Sequence, residues 1–170
     1  MVSDRVVFED YSVNVKDALR ECAISFLHEV GGELRSRAER NSDPYRKTGQ
    51  TADSYEYKVD EGQLAVHVGS NYENAIWEEF GTGVHALNGD GRKGWWVYVE
   101  GSSTSGSSKN GKSYSSASQA KKACAFLRSK GLNAHYTNGK KPRRILYKAF
   151  ESFKSRIIAR AKEVFGGLNS

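Results

Sequence analysis

Between Ile145 and Phe165 the apolar residues Ile145, Leu146, Ala149, Phe150, Phe153, Ile157, Ile158, Ala161 and Phe165 recur at steps of three and four. That spacing gathers them on one face of an α-helix. Lys148, Glu151, Ser155, Arg156 and Lys162 fall on the other face, and Pro142 stands just before the start, where proline is tolerated. A helix of this kind draws most of its stability from burying its apolar stripe, so the chain must supply a partner element. A second stripe runs through Val15, Leu19, Cys22, Phe26, Val30 and Leu34, predicting a helix from about Val13 to Arg40 with Ser12 or Asn14 as its cap. Gly31-Gly32 interrupts it. Two interior glycines cost roughly 2 kcal/mol relative to alanine, so a kink or the close approach of another backbone is expected there. Cys22 lies on the stripe and reads as a core residue rather than a nucleophile.

The segments between these helices alternate in other ways. Tyr55, Tyr57 and Val59, then Leu64, Val66 and Val68, alternate with polar residues around Glu61-Gly62, predicting a β-hairpin with one apolar face and a solvated His67 on the other. NYENAIWEEF predicts a short helix over 72–80, ended by Gly81. Trp95 to Val99 is a β-prone run, and LNAHYTNG supplies a further short strand. Between these strands, SQAKKACAFLRSKG predicts a helix with Ser118 as N-cap and Gly131 as its stop. The expected fold class is α+β: a small, mainly antiparallel sheet packed by long N- and C-terminal helices. Residues 1–170 read as a single domain, with 84–135 as an insertion that contains a flexible Ser/Gly-rich loop, 101–117.

Composition narrows the classes. The chain has 170 residues with 38% hydrophobic and 27% charged, enough for one ordinary core and suited to a soluble protein. No run approaches the 18 or so apolar residues of a membrane span, and the N-terminus does not read as a secretory signal. Two cysteines without a CxxC pair fit reduced thiols in a cytosolic setting. Net charge is +6 and unevenly spread: residues 1–101 carry 11 Lys+Arg and 18 Asp+Glu, a net of −7, whereas 102–170 carry 15 Lys+Arg and only Glu151 and Glu163, a net of +13. Such polarity suits a polyanion partner, head-to-tail contact between copies, or simple intermixing of both halves on one surface.

Candidate chemistry is sparse. Gly106 to Ser113, GSSKNGKS, satisfies the written pattern of a phosphate-binding loop. Such a loop needs a strand ending at its first glycine and a helix beginning at Lys-Ser. Here the strand is expected to end near Val99 and the next helix to begin near Ser118, so the match reads as chance in a Gly/Ser/Lys tract. His28, His67, His85 and His135 fall in four separate elements without metal-ligand spacing. Glu78 and Glu79 are adjacent, and neighbours on a helix diverge by about 100°, so they do not form a paired acid/base site. No catalytic residue, cofactor or metal is expected, and the chain does not read as an enzyme.

Three stretches in order carry a resemblance. Pro44-Tyr45-Arg46-Lys47-Thr48-Gly49 is followed by Ser54; Val68-Gly69 leads to Ala75-Ile76-Trp77-Glu78-Glu79-Phe80-Gly81-Thr82; and Lys141-Pro142-Arg143-Arg144-Ile145-Leu146-Tyr147-Lys148-Ala149-Phe150 opens the last helix. Together they resemble the neck and tail-completion (head–tail joining) minor structural proteins of tailed bacteriophages. The resemblance spans roughly residues 12–165 apart from the 84–135 insertion, and the stretch Glu79 to Thr82 is its most specific part. The sequence departs from that family at Asn74, where tyrosine is usual, at Gln50-Thr51-Ala52, and at Arg144, where proline is common. The resemblance implies a non-enzymatic virion protein of the neck, assembled in the host cytoplasm. It would form a homo-oligomeric ring that joins head to tail tube. Its partners would be further copies, head-completion or connector proteins, and tail-tube or tail-terminator proteins, with DNA passing through the ring and no membrane involved.

The residues themselves offer a physical reading of these stretches. Phe80 is expected to anchor in the core, Gly81 to permit a left-handed turn, Thr82 to bond the turn backbone, and Glu79 to meet a backbone amide or a basic residue at the start of the last helix. Trp77, Glu78, Glu79, Phe80, Gly81, Thr82, Trp95 and Trp96 form the candidate structural or interface motif, because three tryptophans are difficult to bury in so small a core. Lys121, Lys122, Lys140, Lys141, Arg143 and Arg144 are the candidate basic contacts. They also frame the rival reading, a basic nucleic-acid-binding module that acts through phosphate contacts, with Tyr136 or Tyr147 stacking on bases.

Overall fold

The computed structural model describes residues 12–100 and 111–166. The fold is α+β, with long helices near both ends and two small antiparallel two-stranded sheets. The described residues divide into two compact units, one of residues 12–70 with 148–166 and one of residues 71–147. The first ten positions of the Ser/Gly-rich stretch, and with them most of GSSKNGKS, lie outside the described residues.

In the first unit, α1 (Ser12–Ser42) is helical through Gly31-Gly32 without a break. It already includes Ser12 and Asn14, the two expected caps. Of the pair, Gly31 serves the close approach of side chains. A Cβ on Gly31 would lie 2.8 Å from Tyr57 Cγ and 2.8 Å from Val66 Cγ2, whereas one on Gly32 would meet nothing within 4 Å. The hairpin that fills this space pairs β1 (Tyr55–Asp60) with β2 (Ala65–Ser70), Tyr57 opposite Val68 and Val59 opposite Val66. Leu64, expected on the apolar face, instead sits in the turn at φ 49° and is exposed. The turn takes up residues 61–64 between the paired Asp60 and Ala65, and Asp60 Oδ1 accepts from the amides of Gly62 (2.9 Å) and Gln63 (3.0 Å). His67 is exposed opposite Lys58, as its alternation predicts.

Ahead of the hairpin the chain makes a 3-10 turn and the short helix α2 (Gln50–Asp53). Arg46 ties the connection together, donating to Asp53 at 2.9 Å and Asp43 at 3.2 Å. The Asp53 bond, with Asp43 adding to it, holds the Arg46 guanidinium above its ordinary pKa. Ser54 Oγ reaches both Thr51 O (2.8 Å) and Ser70 Oγ (2.6 Å) at the open end of the hairpin.

Helix α5 (Ile145–Gly166) meets α1 through individual side chains. The Phe26 and Phe165 rings meet edge to face at 5.7 Å, the Arg37 guanidinium covers the Phe153 ring at 4.6 Å, and Arg160 pairs with Glu29 at 3.0 Å. Thus α1 covers the hairpin while α5 touches α1, which corrects the expected arrangement of both helices on one face of a single sheet.

The second unit holds α3 (Glu73–Phe80), β3 (Trp96–Val99), α4 (Ala117–Ser129) and β4 (Ala134–Thr137). Strands β3 and β4 pair antiparallel, Trp96 opposite Thr137 and Val99 opposite Ala134, and form a sheet separate from β1/β2. The cap of α4 is Ser116, whose Oγ accepts from the Gln119 amide at 3.4 Å. Ser118, the expected cap, is already helical. Ala120 and Cys124 form the buried face of α4, and the Cys124 thiol donates to Ala134 O at 3.1 Å. Both cysteines are free thiols.

Candidate functional site

Adjacent residues on α3 point to different targets, and the divergence of neighbours on a helix is the reason. Glu78, only 8% exposed, binds the Lys140 ammonium through Oε1 and the Arg143 guanidinium through Oε2, the latter at 2.5 Å. Its main-chain oxygen also accepts from the Arg143 amide at 2.7 Å. Glu79 turns to the start of α5. Its two carboxylate oxygens accept from the amides of Leu146 (2.8 Å) and Tyr147 (3.0 Å). First-turn amides of a helix have no partner within it, and a negative charge there also meets the positive end of the helix dipole.

After Phe80 the chain turns through Gly81 at φ 73°, and the Gly81 amide closes the helix on Trp77 O at 3.0 Å. A side chain at 81 would be strained by that φ and would crowd Lys140 O, His85 O and Pro142 Cδ, all within 2.9 Å of the Cβ position. Thr82 then pairs with Lys140 twice: its amide donates to Lys140 O at 2.9 Å, and its hydroxyl accepts from the Lys140 amide at 2.9 Å. Gly139, at φ 126°, leaves room for Thr82 O, which a Cβ would overlap. The segments 78–82 and 139–147 are therefore stapled together by main-chain, side-chain and ionic contacts. The sequence placed Glu79 at the start of the last helix and Glu78 in the same motif, but not the pairing of Glu78, because nothing local marks a carboxylate that binds cations more than 60 positions away.

Phe80 is 44% exposed and does not anchor the core; it lies on the side of α3 away from Ala75 and Glu78, the helix's buried positions. Trp77 is 43% exposed on that same outer side. Trp96 is buried, with the Arg92 guanidinium 5.0 Å from its ring centroid. Trp95 is half-buried, exchanges main-chain bonds with Tyr114 and tilts against Tyr136. Lys121, Lys122 and Lys141 are exposed. Lys140 and Arg143 are committed to Glu78, and Arg144 stacks on the Tyr147 ring at 3.5 Å. Arg144 takes φ 54°, a backbone state closed to proline, whose ring fixes φ near −65°.

Of the histidines, His28 Nδ1 lies 3.4 Å from the Tyr57 hydroxyl, and His135 stacks on Tyr98 beside Glu100. Among the described residues no group of three or more His, Cys, Asp or Glu side chains is placed to hold a metal ion. No described helix is long and apolar enough to cross a membrane. Compared with protein-family models, with curated proteins and with solved structures, the chain gives no match.

Proposed function

We propose that this chain is a structural virion protein of a tailed phage. It forms a ring in the neck that completes the tail end and joins the head connector to the tail tube. The reading starts from the resemblance of three sequence stretches, and one observation supports it most. The second and third stretches, about 60 residues apart in sequence, are bonded by Glu78 to Arg143 and by Glu79 to the amides of Leu146 and Tyr147, and Thr82 pairs with Lys140 just ahead of the third stretch. Each polar group in that staple has a shape-holding partner, as expected of motifs that build a subunit rather than a reaction centre. Deleting the gene from the genome that encodes it should leave DNA-filled heads and separate tails, and supplying the protein in trans should join them. Normal, infectious particles from the deletion would refute the reading.

A second reading, phosphate-driven nucleic-acid binding, draws on the exposed Lys121, Lys122 and Lys141 and on Tyr136 beside Trp95. Pairing of Lys140 and Arg143 with the single Glu78 carboxylate occupies two of the four cations of the basic run 139–144 on which that reading leaned. Binding of the purified chain to single-stranded DNA should fall steeply with salt if this reading holds; absence of binding at 50 mM salt removes it.

A further inference from the structure

Helix α3 carries an i, i+3, i+4, i+7 stripe of Glu73, Ile76, Trp77 and Phe80, the spacing by which helices bury a face. Here the stripe is exposed: Ile76 is 53% accessible, and Trp77 and Phe80 are each above 40%. Leu87, also exposed, returns to the end of the stripe, its amide donating to Phe80 O at 2.9 Å. Together these side chains offer on the order of 400 Å² of apolar surface, the size of the largest patch on a typical monomer, which is often a functional one. The staple fixes the opposite side of α3 through Glu78 and Glu79, so the ridge is rigidly presented.

Helix α4 carries a surface that complements it. Lys122, Phe126 and Lys130 follow one another at i+4 on its outer side, opposite Ala120 and Cys124. Phe126 is 62% exposed, and the Lys130 ammonium sits 5.6 Å from its ring centroid. The two surfaces differ in charge. Glu73 is the carboxylate on the ridge, since Glu78 and Glu79 are turned to the staple, whereas Lys122 and Lys130 flank Phe126 on α4.

We propose that the α3 ridge of one copy docks on the Lys122–Phe126–Lys130 stripe of α4 in the next copy. Trp77 and Phe80 pack against Phe126, and Glu73 meets a stripe lysine. Two different surfaces of one chain meet, so the contact is head-to-tail and generates a ring or an open chain rather than a closed pair. The proposal rests on the reading of this protein as a self-assembling ring component and names the faces that would touch.

The test is the mass of the full chain in solution across a concentration series, by light scattering after size exclusion. The wild type should grow beyond a dimer as concentration rises. Phe80→Asp and Phe126→Asp should each raise the concentration needed for assembly at least tenfold. Mixed one to one they should form a dimer and nothing larger, since only one pair of compatible faces remains. Phe80→Ser and Phe126→Ser, which add no charge, form a second pair for the same mixing test, and Glu73→Lys should weaken assembly in a way that Lys122→Glu on the same chain restores. A wild type that stays monomeric, variants that assemble like wild type, or a mixture that yields no dimer overturns the contact. So does a Phe80→Ser variant that loses thermal stability with unchanged assembly, because the ridge is then covered by its own chain. None of these outcomes touches the gene-deletion test, which judges the virion reading separately.

Discussion

In the unit of residues 12–70 and 148–166, α1 meets the hairpin where Gly31 lets Tyr57 and Val66 approach the helix. In the unit of residues 71–147, the segment 78–82 meets 139–147 through Glu78, Glu79 and Thr82, which satisfy two cations and three main-chain amides. The first contact is apolar and depends on shape. The second is polar and depends on pairing, and a pairing that loses one member leaves the other desolvated. The two units should therefore fail differently when a single residue is changed.

The sharpest break is Glu78→Ala. It leaves Lys140 and Arg143 partly buried beside an apolar methyl group. A cost of about 2–4 kcal/mol is expected, between the values for exposed and fully buried pairs. Hydrogen exchange should rise at 78–87 and 134–147 while the amides of β1 and β2 keep their protection; equal loss in both units would mean that they are not separately held.

Next comes Gly31→Ala. The added methyl collides with the Tyr57 ring, so about 1–3 kcal/mol of overpacking cost should outweigh the helix propensity gained. Gly32→Ala is its control: with open space at the Cβ it should stabilise by about 0.5–1 kcal/mol. Equal effects at the two positions in chemical denaturation would show that the hairpin does not press on α1 at Gly31.

Glu79→Ala removes the acceptor for two first-turn amides of α5 and should cost about 1 kcal/mol, within the range of an N-terminal cap. Glu79→Gln should recover part of it, because the amide oxygen still accepts although the charge is gone. The smallest effect belongs to Arg160→Ala. Its partners Glu29 and Glu163 are solvent-exposed, and the bonds that raise its pKa, first to Glu29 and then to Glu163, sit in water. The thermal midpoint should not move measurably.

The same contrast explains what could be read from the chain in advance. Helices α1 and α5, the β1/β2 hairpin and the end of α3 at Gly81 announce themselves by periodicity or by a local stop signal, because apolar burial repeats with the geometry of the element. Phe80 misleads for that same reason: it is apolar and helical, so it reads as core, yet the buried side of α3 is built on Ala75 and a carboxylate. The Ser116 cap lies two residues from the expected Ser118, in a run where serine follows serine and local chemistry hardly distinguishes them. The Glu78 pairing has no local signature, since charge says that cations exist somewhere and only the fold says which ones arrive.

The first unit is discontinuous: its helix α1 and hairpin precede residues 71–147, and the rest of α5 follows them. On a ribosome the inserted unit is complete before Lys148 is made. Helix α1 and the hairpin, by contrast, emerge with their α5-facing side uncovered and stay so until the last helix has left the exit tunnel. The stripe of α1 that faces α5 is therefore the segment most in need of protection while the chain grows.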